Sequence, residues 1–386
     1  MNWIVALAAV PSLVVSCAAA AALRVLAPRW GFVDRPGARK IHSQPLALGG
    51  GLAIWAGVVL PLAAAELAVV LWARATRGQS EPAHFDLSWA GRWGSRLAEF
   101  VEPHLSGLAA QSTDLWFFLA CGSVLVVLGL VDDTRGLDWR FRLAVETLVA
   151  AAVVVGRGWK LTLFVDWPLV TDVVSVLWIV GLVNSFNMLD NMDGLSAGVA
   201  AIAAGILGCV MLMTPEGGAP QPQLFVAGML FVLVGSLVGF LVHNRPPARI
   251  IMGDAGSYFV GFSLAVATIL ATFSGDGIPR HSVLAPLCVL AVPIYDTISV
   301  VLIRLRAGRS PFEGDTNHFS HRLVALGLTR PQAVLTIYLT SAACGLGALL
   351  LHQVDRFGAL VVLLLIGCLL AVIAILEMTA RGRHGA

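Results

Sequence analysis

Long apolar stretches recur along almost the whole chain, and they restrict its fold more than any other feature. A helix needs about 20 apolar residues to cross a bilayer, and eleven stretches approach that length. They cover residues 4–26, 48–73, 114–131, 142–158, 171–188, 195–213, 223–243, 256–273, 282–303, 332–352 and 357–378. We predict an all-α integral membrane protein with about eleven transmembrane helices in a single polytopic domain, residues 1–386.

The composition agrees with a membrane setting. Of the 386 residues, 58% are hydrophobic and 12% are charged, whereas soluble domains have about 45–50% apolar and 25% charged residues. The net charge of +2 gives no electrostatic case for a nucleic-acid partner. The six cysteines form no CxxC pair or Cys/His cluster, so neither a zinc site nor a disulfide framework is expected.

The basic residues predict an orientation, because cytosolic loops carry the excess of Lys and Arg. If the connection after the first helix is cytosolic, 17 of the 25 Lys and Arg lie on the cytosolic side and 8 lie outside. The N-terminus is then outside and the C-terminus is cytosolic.

One outer connection, residues 74–113, is long enough to be an insertion. Its apolar residues recur every four positions as one helical stripe: Trp89, Trp93, Leu97, Val101 and Leu105. We expect an extracytoplasmic amphipathic helix, either at the membrane interface or packed on other protein segments.

Five polar clusters lie on the predicted cytosolic side. The first, DRPGARKIH at 34–42, supplies Arg39, Lys40 and His42 as candidate ligand-binding groups, and Gly49–Gly51 follow as a turn where backbone can approach a ligand. A basic membrane anchor would explain the cations but does not require His42 or the glycines.

The second cluster is Asp132-Asp133, at the end of the third stretch. Adjacent carboxylates repel each other at a membrane boundary, and a metal ion or a bound cation would relieve that repulsion. The alternative is a solvated loop helped by Arg135.

The third cluster, at the end of the fifth stretch, places polar residues three apart: Asn184, Asn187, Asp190 and Asp193. Residues at that spacing are neighbours on a helix, so we predict a polar ridge on an otherwise apolar helix end. Such a ridge is costly in lipid unless it has a function.

The last two clusters are MGDAGS at 252–257 and NHFSHRL at 317–323. Asp254 lies where a helix is expected to begin, which suits phosphate or metal binding, although a plain N-cap is the alternative. His318, His321 and Arg322 can donate to phosphate oxygens. Zinc is disfavoured because no further zinc-type ligand lies nearby, and the aspartates suit Mg²⁺ better.

Five segments of this chain resemble, in the same order, the cytosolic motifs of the polyprenyl-phosphate N-acetylhexosamine-1-phosphate transferases, glycosyltransferase family 4. The resemblance covers about residues 31–330, and the segments are DRPGARKIH…GGG, VDD, NSFNMLDNMDG, MGDAGS and HFSHRL. This family is related to the phospho-N-acetylmuramoyl-pentapeptide transferase. One departure is Ser320, where the family commonly shows H-x-H-H, which leaves His318 and His321 to carry the motif. The residue 304–331 loop is the expected cytosolic active-site loop.

The resemblance implies transfer of N-acetylhexosamine-1-phosphate from a UDP-sugar to polyprenyl phosphate, with release of UMP, as the first step of cell-envelope polysaccharide synthesis. It implies Asp254 and Asp190 as ligands of Mg²⁺ or Mn²⁺, and Asp190 and Asp193 around the metal and nucleotide. Asp132 or Asp133 would position or deprotonate the acceptor. An acceptor phosphate is mostly dianionic at pH 7, so direct one-step attack is favoured over an aspartyl-phosphate intermediate.

The expected setting is the bacterial inner membrane, with the active site facing the cytoplasm and a homodimer possible.

The favoured donor is UDP-GlcNAc, because the DRPGARKIH and HFSHRL segments are similar to the branch that starts envelope polymers. The UDP-muramoyl-pentapeptide donor is the alternative. A membrane transporter is the alternative from another class, but it predicts polar groups at helix midpoints. An alcohol phosphotransferase of the CDP type is disfavoured because Asp193-Gly194 lacks the further spaced aspartates.

Overall fold

The computed structural model describes residues 2–34, 45–76, 91–161, 167–213, 223–271 and 279–384. Helices dominate these residues. The first eight are α1 (Asn2–Arg29), α2 (Gly50–Thr76), α3 (Gly91–Val101), α4 (Leu105–Ala110), α5 (Ser112–Arg135), α6 (Trp139–Ala151), α7 (Pro168–Leu189) and α8 (Leu195–Met213). The others are α9 (Leu224–Asn244), α10 (Gly253–Leu270), α11 (Ala285–Val289), α12 (Ala291–Arg306), α13 (Phe319–Ala325), α14 (Arg330–Leu351) and α15 (Arg356–His384).

Nine helices in the described part of the chain are long and apolar enough to cross a membrane: α1, α2, α5, α7, α8, α9, α10, α14 and α15. A tenth candidate is the broken pair formed by Arg280–Val289 and α12, which bend by 66° at Leu290. An all-α integral membrane protein is therefore confirmed, because only helices or closed barrels satisfy every backbone hydrogen bond in lipid.

Helix α6 corresponds to the remaining predicted crossing, but its 13 residues are too few to span a membrane without the segment that follows. It continues through a π-helix, Ala152–Gly156, and together these residues span roughly 27 Å at 1.5 Å per residue. Past the π-helix, Arg157 pairs with Asp114 at the start of α5, and Lys160 pairs with Asp172 at the start of α7. The chain therefore reaches the end of the bundle opposite to the end of α5, as an eleventh crossing requires.

Helix α10 lies at the centre of the bundle and is its most buried span, whereas α15 faces almost entirely outward. Small residues permit this central position. A Cβ on Gly129 of α5 would lie 2.3 Å from the backbone nitrogen of Ala255, and one on Gly51 of α2 would lie 2.2 Å from that of Gly256. The interpretation of Gly49–Gly51 as a ligand-approach turn was therefore wrong for Gly51, because its close approach is to α10.

The one sheet among the described residues is a short antiparallel hairpin, β1 (Val33–Asp34) and β2 (Leu46–Ala47). The Ile251 amide donates to the Ala47 carbonyl, which ties β2 to the segment just before α10. The hairpin thus lies next to the start of α10. Arg39, Lys40 and His42 themselves lie outside the described residues.

The predicted amphipathic insertion is helical over α3, a 3-10 turn and α4. Trp89 lies outside the described residues. Leu105, the last residue of the stripe, is buried, and α4 contacts α2. At this end, packing on other protein segments explains the stripe. The extracytoplasmic location of the insertion stays a prediction.

The orientation can be tested with single cysteines in a cysteine-free background. Gln353 lies between α14 and α15 at the end opposite α13, and Ala307 follows α12 at the other end; both are exposed. We expect a membrane-impermeant maleimide to label Gln353→Cys in intact cells and Ala307→Cys only after permeabilisation. The reverse pattern would contradict an N-terminus outside and a cytosolic C-terminus.

Candidate active site

Three of the predicted polar clusters meet at one end of the bundle, where α5 and α7 end and α10 begins. Gly253, which opens α10, has a φ of 70°, a conformation that glycine adopts at little cost. A Cβ at Gly253 would lie 2.6 Å from Asp133 Oδ2. Glycine therefore allows the Asp133 carboxylate to reach the first turn of α10.

Asp133 and Asp132 are both held by protein groups. Asp133 Oδ1 accepts from the Asp254 amide at 2.9 Å, at the helix N-terminus where anions are stabilised. Asp132 is buried; its Oδ2 accepts from Arg142 Nη1 at 2.6 Å and from the Tyr258 hydroxyl at 3.1 Å. The cation expected beside Asp132 is thus supplied by the protein itself, as Arg142, and the solvated-loop alternative was wrong.

The polar residues after the fifth stretch do not form one continuous helical ridge. Helix α7 ends at Leu189 and Asp190 is its C-cap residue, so only Asn184 and Asn187 lie on the helix. Asp193 lies in the following turn, where its carboxylate accepts from the Ala248 amide at 3.0 Å. The predicted ridge is interrupted because a turn, residues 191–194, begins before Asp193. Gly194 in this turn has a φ of 74°, a value that residues within an α-helix do not adopt.

Asp254 lies in the first turn of α10, whose N-cap position is Met252, so the N-cap alternative was wrong. Its Oδ1 accepts from Asn187 Nδ2 at 2.7 Å, and Asn187 also donates to the Ser257 hydroxyl at 3.1 Å. Asn187 also lines the cavity described next, so it connects Asp254 to that cavity.

A cavity of about 490 Å³ opens between α6, α7 and the loop after α12. Trp139 and Phe312 form one wall, with their rings stacked at 4.0 Å between centroids. The polar wall consists of Arg142, Glu146, Asn184, Asn187, Asp190, Asn191, Arg304, Asp315 and His318. The volume lies within the range of about 300–1,000 Å³ typical of small-molecule sites.

Several carboxyl groups lie close together beside this cavity. Burial and the neighbouring Asp133 carboxylate raise the pKa of Asp190 to about 7. Glu146 is buried and accepts from Asn184 Nδ2. Crowded carboxylates of this kind favour a bound cation.

The loop over the cavity is fixed by a buried carboxylate. Asp315 accepts from Arg304 Nη2 at 3.2 Å and from Arg309 Nη2 at 3.0 Å. Burial alone would raise the pKa of Asp315, but the hydrogen bonds from Arg304 and Asn317 hold it well below its usual range. The loop that carries Phe312 is therefore anchored to α12.

His318 is oriented by a carboxylate that the sequence analysis did not single out. Its Nδ1 lies 3.0 Å from Asp296 Oδ2, and the Phe319 amide donates to Asp296 Oδ1 at 2.6 Å. Asp296 is 1% exposed. The pair leaves Nε2 of His318 as the ring nitrogen available to a ligand.

His321 and Arg322 do not line the cavity. The His321 ring is 6.4 Å from that of His318, between centroids, and burial together with His318 lowers the pKa of His321. Arg322 is buried and bound to protein groups. At the third position of the motif, where the family commonly has its central histidine, Ser320 donates a hydrogen bond to Asn191 Oδ1.

The structure thus brings Asn184, Asn187, Asp190 and His318 to the cavity, with Asp254 directly behind Asn187. Residues that the sequence analysis missed also line it, among them Arg142 and Glu146. A signal for these two was present, since charged residues four apart inside a predicted span mark functional groups. Asp296 gave a similar signal, because it is a lone charged residue within the predicted span 282–303.

Among the described residues, no three His, Cys, Asp or Glu side chains are grouped closely enough to hold a metal ion by themselves. The donor set nevertheless fits Mg²⁺, which is usually held by one or two carboxylates together with substrate phosphates and water. Asp190 beside the cavity and Asp254 behind Asn187 are the carboxylates placed to contribute. Zinc would require more nitrogen or sulfur ligands than this end of the bundle offers.

Comparison with known proteins gives consistent results. The family model described as glycosyl transferase family 4 matches residues 115–272. The chain is 31% identical to a decaprenyl-phosphate N-acetylglucosaminephosphotransferase of Mycolicibacterium smegmatis, over 94% of this chain and 86% of that protein. It is 27% identical to a probable undecaprenyl-phosphate N-acetylglucosaminyl 1-phosphate transferase of Bacillus subtilis, over 90% and 85%. For the undecaprenyl-phosphate alpha-N-acetylglucosaminyl 1-phosphate transferase of Escherichia coli K12 the identity is 26%, over 89% and 83%.

Proposed function

The chain belongs to glycosyl transferase family 4, the polyprenyl-phosphate N-acetylhexosamine-1-phosphate transferases, and we propose that it transfers N-acetylglucosamine-1-phosphate from UDP-N-acetylglucosamine to a polyprenyl phosphate. UMP is the second product. The observation that carries the proposal is the cavity of about 490 Å³, walled by aromatic rings, carboxylates and arginines, at one end of a bundle of membrane spans. The relatives' names supply the acceptor class and the sugar.

The two walls of the cavity suit the two halves of a nucleotide sugar. Trp139 and Phe312 offer planar faces on which a base can stack, and 48% of Phe312 is exposed. The guanidinium group of Arg142, which is partly exposed, lies on the polar wall, where a diphosphate needs positive charge. Arg304 is buried and paired with Asp315, so it contributes by holding the loop in place. Asn184, Asn187 and Asn191 add amide groups that can bind sugar or base.

The reaction joins two anionic groups, so charge and alignment dominate its barrier. The acceptor phosphate is mostly dianionic at pH 7 and attacks the sugar-linked phosphorus directly, with UMP leaving. Asp190 and Asp254 are the residues that would hold Mg²⁺, and a divalent cation there would supply neutralisation of the phosphate charge. Asp133 fixes the first turn of α10 and so places Asp254. Asp132, held by Arg142 and Tyr258, fixes the position of Arg142 on the cavity wall.

The setting follows from where the site lies. A polyprenyl tail must remain in the bilayer while its phosphate reaches the polar groups at the helix ends. The site end of the bundle carries the larger share of Lys and Arg under the predicted topology, so we place it in the cytoplasm and the protein in the inner membrane. There it performs the first step of cell-envelope polysaccharide synthesis.

The cavity favours the smaller donor over a muramoyl-pentapeptide. The loop between α12 and α13 is short, and the Asp315 ion pairs with Arg304 and Arg309 hold it against α12. No additional domain in the described part of the chain extends this surface to hold a peptide. A donor that ends at the N-acetylated sugar is therefore the better match.

The decisive assay uses purified protein, Mg²⁺, polyprenyl phosphate and UDP-N-acetylglucosamine labelled at the β-phosphate. Sugar-1-phosphate transfer moves the label into the lipid and releases unlabelled UMP. Transfer of the sugar alone would leave the label in UDP, which would contradict the reaction type. Faster turnover of the muramoyl-pentapeptide donor in a parallel assay would overturn the donor assignment and leave the reaction type intact.

A further inference from the structure

One buried carboxylate at the site end of the bundle has no part in the chemistry described above. Glu377 lies near the end of α15 and is 7% exposed, although its neighbours Ile375 and Leu376 are 55% and 53% exposed. The helix around it is apolar and faces outward. An acid buried on such a helix is expensive, and residues of this kind usually have a function.

Glu377 joins α15 to α12 and α13. Its Oε2 accepts from the Tyr295 hydroxyl at 2.8 Å and lies 3.0 Å from Arg322 Nε. Glu377 Oε1 is buried and accepts no hydrogen bond from the described residues. A buried carboxylate with one unsatisfied oxygen is costly, and the contacts of its other oxygen hold Tyr295 of α12 and Arg322 of α13.

Arg322 is held by protein groups on every side of its guanidinium. Its Nη2 donates to the Ser299 hydroxyl at 2.8 Å, and its Nη1 donates to the Asn317 carbonyl. Its Nε lies 3.0 Å from Glu377 Oε2, so each of the three nitrogens faces a protein oxygen, and the side chain is 7% exposed. Because Arg322 does not line the cavity of about 490 Å³, direct binding of the donor diphosphate there would require the side chain to move away from these contacts.

Arg322 lies one turn along α13 from His318, which precedes the helix and lines the cavity. The seven residues of α13 are too few to hold a helix in place by themselves. The Asp296 contact fixes the start of α13, and the Ser320–Asn191 hydrogen bond fixes one side. α13 also packs on α14, and the Glu377–Arg322 pair adds a polar contact from α15.

We propose that Glu377 is a positioning residue for the transferase site: it holds Arg322, and through it α13, so that His318 stays aligned with the cavity. Arg322 is then a positioning residue as well, and not a ligand of the diphosphate. The inference rests on the proposed function for its kinetic consequences, but the contact between α15 and α13 exists independently of the reaction.

The test compares Glu377→Gln with Ile375→Ala, a lipid-facing control on the same helix. Glutamine keeps the size of the side chain and can still accept from Tyr295, but it loses the charge that holds Arg322. Hydrogen exchange of the α13 amides in Glu377→Gln should rise at least about tenfold, because local opening becomes easier. The kcat should fall about 10- to 100-fold through misalignment, with the KM for the UDP-sugar changed less than about threefold. Ile375→Ala should match the wild type in both measurements.

The double variant Glu377→Gln/Arg322→Gln guards against misfolding, because it leaves neither charge buried alone. Its kcat should be no lower than that of the less active of the two single variants, Glu377→Gln and Arg322→Gln, since the two residues act as one unit. If Arg322 binds the donor directly, Arg322→Gln alone will raise KM strongly and the two losses will multiply, which overturns the proposal. Wild-type exchange of α13 in Glu377→Gln overturns it too, whether or not the protein transfers sugar phosphate.

Discussion

Removal of divalent cations with EDTA should abolish sugar-phosphate transfer, and excess Mg²⁺ or Mn²⁺ should restore it. The reaction brings the donor diphosphate and the acceptor phosphate next to Asp190 and Asp254. These negative charges repel one another strongly in a partly desolvated site. A divalent cation is worth several kcal/mol in such a transition state, so its removal should slow transfer by about 10³-fold or more.

EDTA previously saturated with Mg²⁺ is the matched control and should leave activity unchanged. The thermal unfolding midpoint should also be unaffected by EDTA, because no group of three ligands among the described residues could make the metal a structural element. Full activity in the chelator would refute the metal requirement. A large fall in the unfolding midpoint would instead show a structural metal that the described residues do not explain.

Much of the fold could be predicted because a membrane span must satisfy its backbone hydrogen bonds within its own helix. Each span therefore appears in the sequence as a local apolar stretch; the stretch 195–213, for example, coincides with α8. Chain direction alternates between spans, so polar residues at the ends of α5 and α7 and at the start of α10 were expected at the same end of the bundle. The shared location of Asp190 and Asp254 was predictable for that reason, whereas their roles stay predictions.

The partners of these residues were not predictable, because they depend on which helices pack together. Arg142 was interpreted only as a basic residue that orients the protein, yet it pairs with Asp132 on the preceding helix. Asp296 and Glu377 lie within apolar stretches and gave no periodic signal. Their roles depend on α13, a short helix whose position is set by long-range contacts and not by its own sequence.

The prediction for Asp193 shows the limit of spacing arguments. Its distance of three residues from Asp190 suggested a shared helical face, but the helix ends at Leu189. Asp193 holds the Ala248 amide instead, and so fixes the turn that leads into α10. A nucleotide-binding role for Asp193 stays a prediction, and its observed contact is with the protein.

Asp254→Asn should be the most damaging conservative substitution in the site. Asparagine has the same shape, and its carbonyl oxygen can still accept from Asn187 Nδ2, so the first turn of α10 should be preserved. The substitution removes the negative charge that holds the cation. Loss of one preorganised charged group typically reduces kcat by about 10²–10³-fold, and we expect at least that.

The unfolding midpoint separates this explanation from simple damage to the fold. Asp254 lies beside the carboxylates of Asp132 and Asp133, so removing its charge relieves repulsion in the metal-free protein. Asp254→Asn should therefore be as stable as the wild type or more stable, a trade of stability against activity that is common at functional sites. Asp355→Asn is the matched control at the opposite end of the bundle, where the side chain accepts from the Gly358 amide and asparagine caps a helix equally well. Equal losses of activity in the two variants, or a destabilised Asp254→Asn, would contradict the assignment of Asp254 to the cation.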